Sequence, residues 1–487
     1  MGWREAGAPL RMQRVALVVP RDSLRDLLVR VADAGTVEVD QPGPAAASGA
    51  SRGEPVRVAP APGVDPSTAP RLCSAPPDVG ELERAGRTDL IAGEAELRAR
   101  ADSAVVRGEV AALAGWMPTT EVAGLAETVA AVGGSVVPIP MPRGVDPPTS
   151  LRQGRAVRQS FTPLVETYGT VPYADVDPSV LAGLAYMLMF GMMFGDAGHG
   201  ALLVLAGLLL RAGRPRRLAR FRKVWPFVAG SGVVAIGFGL LYGEFFGPTG
   251  VLPVLWLNPL DEPLTLMAVA LGLGAVLLAG AQVLGTVNRW REGGWPLELS
   301  SPSGVAGAAL LAGLGLIALG ATAGLGWLTL TGALVMAGGV ALAYIGFLVT
   351  SGGGGTGVTQ ASVEVFDAVI RVGTNLVSFV RLAAFGLTHA AISQIVWDGT
   401  TALWQSGALL MLAAVVVFLV GNAVAFALEA LVSGVQALRL EYYELFSRVF
   451  VNEGRPFRPW HVPTDHGGGT PPSHDTADLV ANHRRLS

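Results

Sequence analysis

The sequence predicts an α-helical polytopic membrane protein, with about eight transmembrane helices and a small N-terminal α+β cytosolic domain. Three observations predict it. The 487 residues are 51% hydrophobic and only 15% charged, where a soluble chain of this length carries about a quarter charged residues. Residues 1–178 have a soluble composition, whereas 179–450 consist of long apolar runs separated by short polar ones. The loop 211–223, RAGRPRRLARFRK, carries seven Arg/Lys and belongs on the cytosolic side.

In the N-terminal part, RVALVVP reads as a strand and Arg21–Ala34 as a helix with apolar positions Leu24, Leu27, Leu28 and Val31. Gly35 caps that helix before the strand-like TVEVD. Residues 41–77, rich in Ala, Pro, Ser and Gly, read as a flexible linker. Residues 78–110 read as helical, with Leu82, Leu90 and Leu97 too sparse for a long coiled coil. EVAALAGWMP then reads as a strand, Glu121–Gly133 as an amphipathic helix, and GSVVPIPMP as a closing strand. The domain 1–141 therefore reads as a docking or scaffold unit, since no nucleotide loop, metal-ligand cluster or nucleophile–base pair occurs in it. Residues 142–178, with six Pro, read as an extended connector. The one cysteine, Cys73, excludes an intramolecular disulfide framework. No signal peptide is visible, and the net charge of −3 gives no nucleic-acid signal.

Apolar runs fall at 179–210, 224–246, 264–287, 304–323, 326–349, 363–396 and 406–436. The first is long for one span and carries GDAGHG in its middle. With the N-terminal domain and the basic loop both cytosolic, it must cross twice, breaking at Gly195–Gly200. Each half is then only about 22 Å of helix, short for a hydrocarbon core of about 30 Å, so flanking protein must cover the break. Loop 247–263 lacks Lys and Arg and falls outside, and loop 288–303 falls inside. SGGGGTG at 351–357 lacks the GKS/T of a phosphate loop and reads as a flexible joint. The C-terminal residues 451–487 read as a mostly disordered cytosolic tail.

The sixth run carries Glu364, Asp367, Arg371, Asn375, Ser378, Arg381 and His389 at near-helical spacing, which predicts one broad polar face. Its length predicts strong tilt or a bend. Asp367 and Arg371 form an (i, i+4) pair, whereas Arg381 has no partner within a turn. An unpaired charge in a bilayer costs at least about 2.5–3.5 kcal/mol, so Arg381 needs an interior face, a water-filled cavity or a partner chain. The last run repeats the theme with Asn422, Glu429, Ser433, Gln436 and Arg439. Taken alone, Arg439 also fits a snorkelling interfacial arginine, and His389 fits an interhelical hydrogen bond.

Six stretches, in order, resemble subunit a (subunit I) of vacuolar and archaeal/bacterial V/A-type ATPases. They are AGWMP (114–118), YGTVPYADVDP (168–178), FGMMFGDAGHG (190–200), FGLLYGEFFG (238–247), SFVRLAAFGLTHA (378–390) and LRLEYYELFSRVFVNEGRPFRPW (438–460). The resemblance implies a non-catalytic stator subunit whose last two long, tilted helices curve around a rotor ring. Two ion half-channels would couple proton or sodium passage to ATP synthesis or hydrolysis in partner subunits. Arg381 matches the family's essential arginine, which keeps the passing ring carboxylate ionised, and Arg439 matches its second arginine. Asp367 and His389 match an acidic residue and a histidine of the ion path, with Glu364, Glu429, Ser378 and Gln436 as further lining candidates. Leu382, Phe385 and Glu444 are implied at the rotor-ring interface.

The implied partners are rotor-ring proteolipid subunits (c/K), peripheral-stalk subunits (E/G), the central-stalk subunit at the ring (d/C) and membrane lipid. No nucleic acid, cofactor or metal is implied. The implied location is the bacterial plasma membrane with both termini cytosolic. Family members usually carry a longer cytosolic part, with two lobes joined by a coiled coil, and the stretch 78–110 is too short for one. A stand-alone secondary ion transporter is the alternative reading, although no convincing internal repeat is visible.

Overall fold

The computed structural model describes residues 9–40, 69–142, 145–150, 156–214, 216–293, 304–352, 354–449 and 454–465. The chain divides into two compact units, one from Thr149 to Pro456 and one from Leu10 to Pro148 joined by the segment from Phe457.

In the small unit, strand β1 (Met12–Pro20) alternates, burying Val15, Leu17 and Val19 on one face. It pairs antiparallel with β5 (Val110–Pro118) and β6 (Ser135–Pro138). Strands β2 (Glu38–Val39) and β4 (Val105–Arg107) add to the far edge of β5. Helices α1 (Leu24–Ala34) and α4 (Val122–Ala130) contribute Leu27, Leu28, Val31, Leu125 and Val129 to the core with Leu17, Leu113 and Met117. Gly35 ends α1 in the left-handed region, φ 58°, donating to the carbonyl of Val31.

Three sequence expectations need correction in this unit. The stretch 78–110 is not helical throughout: α2 (Val79–Arg84) and α3 (Thr88–Asp102) stop before the hairpin of β4 and β5. The run of β-branched residues around Gly108, which sits at φ 58°, makes that hairpin the better local choice. The linker 41–77 contains β3 (Leu72–Cys73), while its residues 41–68 lie outside the described residues.

The tail is the third correction. Residues 457–465 are built into the small unit, and β7 (Thr464–Asp465) pairs parallel with β3. Residues 466–487 lie outside the described residues. Trp460 is 5% exposed within the core, its indole donating to Glu96 Oε1 at 2.9 Å and its backbone N–H to Val37 at 2.8 Å. Arg87 holds the end of the tail, donating to Asp465 at 2.6 Å and to Asp89 at 2.9 Å. The same guanidinium keeps the Asp89 carboxyl below its usual range. A short apolar WHV segment is sufficient, because the core of a domain this small needs every large side chain it can bury. Trp460→Ala is expected to destabilise this unit by about 3–5 kcal/mol through lost burial and a cavity. Hydrogen exchange of the full-length chain checks it: amides of β1 and α1 should lose protection while those of the membrane unit do not.

In the large unit, the connector is partly helical, which corrects the extended reading of 142–178. Helix α5 (Ala156–Tyr168) buries Phe161 and Val165. A Cβ on Gly183 would lie 2.5 Å from the Phe161 ring, so only glycine lets these helices meet so closely. The first apolar run splits into α6 (Ser179–Met193) and α7 (Ala197–Arg211), each of 15 residues. The break falls at Phe194–Asp196, and Asp196 caps α7 by accepting from His199 N–H.

Further on come α8 (Trp225–Tyr242), α9 (Pro263–Gly293), α10 (Val305–Ala323) and α11 (Gly326–Thr350). Then come α12 (Gly354–Val377), α13 (Val380–Gln405) and α14 (Ala408–Leu440). Among the described residues, six helical stretches are long and apolar enough to cross a membrane, and α6 and α7 are shorter apolar helices. Helix α12 already begins at Gly354, so the second half of the glycine segment is helical rather than a joint. Helices α10 and α11 form a hairpin in which Gly313 and Gly332 let backbones touch, a small-residue contact suited to apolar surroundings. The 33 residues of α14 span about 50 Å, more than the hydrocarbon thickness, so the helix must lie tilted.

Candidate functional site

Helices α12 and α13 are continuous in direction of chain but broken at Ser378–Phe379. Phe379 is fully buried and packs on Gly274 of α9, where a Cβ would lie 2.3 Å from its ring. Arg381 sits in the first turn of α13 and lines a shallow open groove with Ile370, Thr374, Val377, Ser378 and Ala384. Among the described residues its guanidinium has no hydrogen bond or ion pair, while Arg439 and Glu444 lie within electrostatic reach. Arg439, exposed at the end of α14, is likewise without such a partner among the described residues.

His389 is elsewhere. It lies eight residues beyond Arg381, about 80° further round an α-helix, and it is 3% exposed. The predicted single polar face is therefore corrected to two sites. His389 Nδ1 makes a very short contact with Glu429 Oε2 of α14, and its Nε2 lies 3.5 Å from Glu244 Oε2. His199 of α7 stands beside it, ring centroids 5.9 Å apart and fully buried, with Asn422 of α14 next to its ring. Phe194 and Phe426 wall the cluster.

Asp196 ties this cluster to the backbone. Its carboxylate accepts from the N–H groups of His199 (2.8 Å), Phe246 (3.1 Å) and Gly247 (2.7 Å), clamping the 244–247 turn onto the helix break. Phe246 holds φ 50°, uncommon for a side chain with a Cβ. Gly239 allows the approach, since a Cβ there would lie 2.2 Å from Ala197 N. Asp196, His199 and Glu244 are the residues that sequence reasoning missed. Their signal lies inside GDAGHG and GEFFG, which in sequence read as a break and a family motif rather than as sources of ionisable side chains.

A third group follows the C-terminal end of α14. Arg448 donates to Gln282 at 3.1 Å, and Asn375, with its amide oriented by its partners, bridges Arg448 at 2.9 Å and Glu444 at 3.1 Å. Glu441 is fully buried in the π-helical turn Glu441–Phe446, with neither carboxylate oxygen hydrogen-bonded. Asp367 and Arg371 form an exposed ion pair on α12, and Gln360 donates to Glu364 at 2.9 Å. Ser378 donates to the carbonyl of Thr374 and Gln436 is half-buried. Leu382 is a correction: it is fully buried in the chain's own core, because it follows Arg381 by one residue and so points inward. Phe385 packs against the same core and is partly exposed.

The sequence model of the V-type ATPase 116kDa subunit family matches residues 103–248. The chain is 26% identical over 379 residues to the A-type ATP synthase subunit I of Aeropyrum pernix, covering 66% of this chain and 52% of that one. It is 27% identical over 375 residues to the Pyrococcus horikoshii A-type ATP synthase subunit I, covering 74% and 55%. A V-type ATP synthase subunit I 2 from Treponema pallidum is 41% identical over 99 residues, 20% of this chain and 22% of that one. The chain spans about half the length of the curated archaeal relatives that it matches along most of its own length. With these matches, the six long apolar helices and the small strand-bearing unit, the chain resembles subunit I of the V-type ATPase 116kDa subunit family.

Proposed function

We propose that this chain is the membrane stator subunit of a rotary V/A-type ATPase, non-catalytic itself, that forms two ion half-channels against a rotor ring. The observation that carries the reading is Arg381: a permanent charge, unpartnered among the described residues of its own chain, on the open face of a membrane helix. Around it, Phe366, Val377, Leu428, Leu431 and Val435 are more than half exposed, so the two long helices offer a bare apolar face. A ring of proteolipid helices (c/K) would cover that face and bring a carboxylate past Arg381.

The groups divide along the path. The buried His389–Glu429–Glu244 cluster lies by the 243–262 loop, which carries no Lys or Arg and belongs on the outer side. It supplies exchangeable protons or ion ligands on that side. Glu364, Asp367, Ser378 and Gln436 line the approach from the other side, and Arg439 and Glu444 set the field beside Arg381. Proton or sodium passage then turns the ring and couples to ATP chemistry in partner subunits. The peripheral-stalk (E/G) and central-stalk (d/C) subunits would complete the complex, with both termini of this chain in the bacterial cytosol.

Reconstitution tests this reading. The chain alone in liposomes should conduct no ions, whereas the complex with its ring and ATP-hydrolysing head should pump on ATP addition. Ion-gradient-driven transport by the isolated chain would instead mark a secondary transporter.

A further inference from the structure

The cluster around His389 has an unusual charge balance. Asp196, Glu244 and Glu429 place three buried carboxylates beside two imidazoles, and among the described residues no Lys or Arg pairs with any of the three. Buried charges of one sign are stable only when a cation or proton compensates them. Asp196 keeps acceptor capacity, since three N–H bonds leave one of about four lone-pair positions open.

The orientation of His389 adds a second constraint. Glu429 engages Nδ1, so a neutral ring carries its proton there and presents Nε2 as a lone pair able to bind a metal. That lone pair faces Glu244 Oε2 at 3.5 Å, and neither atom has a hydrogen-bond partner. A proton or a metal ion between these two atoms satisfies both. His199 adds a second buried imidazole, with Asn422 beside its ring and its Nδ1 lying 3.9 Å from Asp196 Oδ1. Ligand atoms of Asp196, His199 and His389 all lie within 4.8 Å of one another. Around a tetrahedral zinc with bonds of about 2.0–2.1 Å, neighbouring ligand atoms stand roughly 3.3 Å apart, so a modest contraction of these side chains closes the site.

We propose that Asp196, His199, His389 and Glu244 form a buried binding site for a divalent cation of the Zn²⁺ type. Glu429 is not a ligand but the carboxylate that orients a ligating histidine through its second nitrogen. Two imidazoles and two carboxylates suit Zn²⁺ rather than Mg²⁺ or Ca²⁺, which prefer all-oxygen shells. On the reading of this cluster as part of an ion path, an occupied site closes that path, so Zn²⁺ acts as a reversible inhibitor. The binding claim itself does not depend on that reading.

The test uses the full-length chain in nanodiscs, equilibrated with Zn²⁺ and then dialysed, with metal per chain counted by mass spectrometry. His466, His474 and His483 provide a background, so the comparison is with His199→Gln. The wild type should hold one more Zn²⁺ than that variant. Co²⁺ in its place should show the visible bands of tetrahedral coordination, absent in His199→Gln. Glu429→Gln should weaken binding about 10–100-fold. Glu244→Gln gives a second reading if His199→Gln is poorly folded, judged by its melting temperature without metal. Equal Zn²⁺ content in the wild type and both ligand variants would overturn the site. Zn²⁺ bound at the site without slowing ATP-driven pumping in the assembled complex would overturn the inhibitory role. Absent binding together with normal pumping would overturn the metal site alone and leave the stator reading standing.

Discussion

Arg381→Ala is expected to abolish coupled ion transport in the assembled complex while leaving the chain folded and able to copurify with its ring. The side chain lines an open groove and makes no hydrogen bond or ion pair within the described residues, so its removal leaves no buried group unpaired. Its effect falls on whatever passes. A unit charge about 4 Å from a carboxylate, at an effective dielectric of about 20, is worth about 4 kcal/mol. That corresponds to roughly three units in the carboxylate's pKa. Without it the passing carboxylate keeps its proton, and both release and the barrier between half-channels are lost. Arg381→Lys should rescue only partly, since an ammonium can shed its proton in apolar surroundings and a guanidinium cannot. ATP-driven acidification or sodium uptake measures the effect, with subunit copurification as the control. Wild-type pumping by the alanine variant would sink the mechanism.

Asp196→Ala should have the largest effect on stability. One fully buried carboxylate satisfies three backbone N–H groups, from His199, Phe246 and Gly247. Each donor left bare in a buried site costs roughly 1–3 kcal/mol, so the three together cost on the order of 5 kcal/mol. Asp196→Asn should fall between, because an amide oxygen accepts two of the bonds while its NH₂ group opposes the third. Hydrogen exchange in nanodiscs reads this directly: the amides of residues 199, 246 and 247 should become labile. Unchanged protection at those three amides would show that the clamp is not what holds the turn.

The broken pair α6–α7 was legible because its reasons are local. A run of apolar residues too long for one helix, with GDAGHG at its centre, has to bend. The singularity of Arg381 was legible too, since no acidic residue stands three or four positions away. The polar stripe was not, because Arg381 and His389 stand about 80° apart on the same helix and packing buries only His389. Leu382 was misplaced for a related reason: closeness to Arg381 in sequence says nothing about facing the same way. Asp196, His199 and Glu244 come from segments that look like turns, and only tertiary packing brings them to His389 and Glu429. Strands as short as β3 and β7 carry no periodicity, so the docking of the tail left no local mark.

That docking also sets a timetable. Trp460 reaches Glu96 across 364 residues of sequence, with the apolar helices α6–α14 synthesised between them. At about 5–20 residues per second, the ribosome needs roughly 20–70 s to deliver the missing piece. The small unit is therefore begun before the apolar helices are made and finished only after them. Until then its half-built core must be shielded or stay open to proteases. A polypeptide that stops short of Trp460 would lack that part of the small unit's core even with every described apolar helix in place.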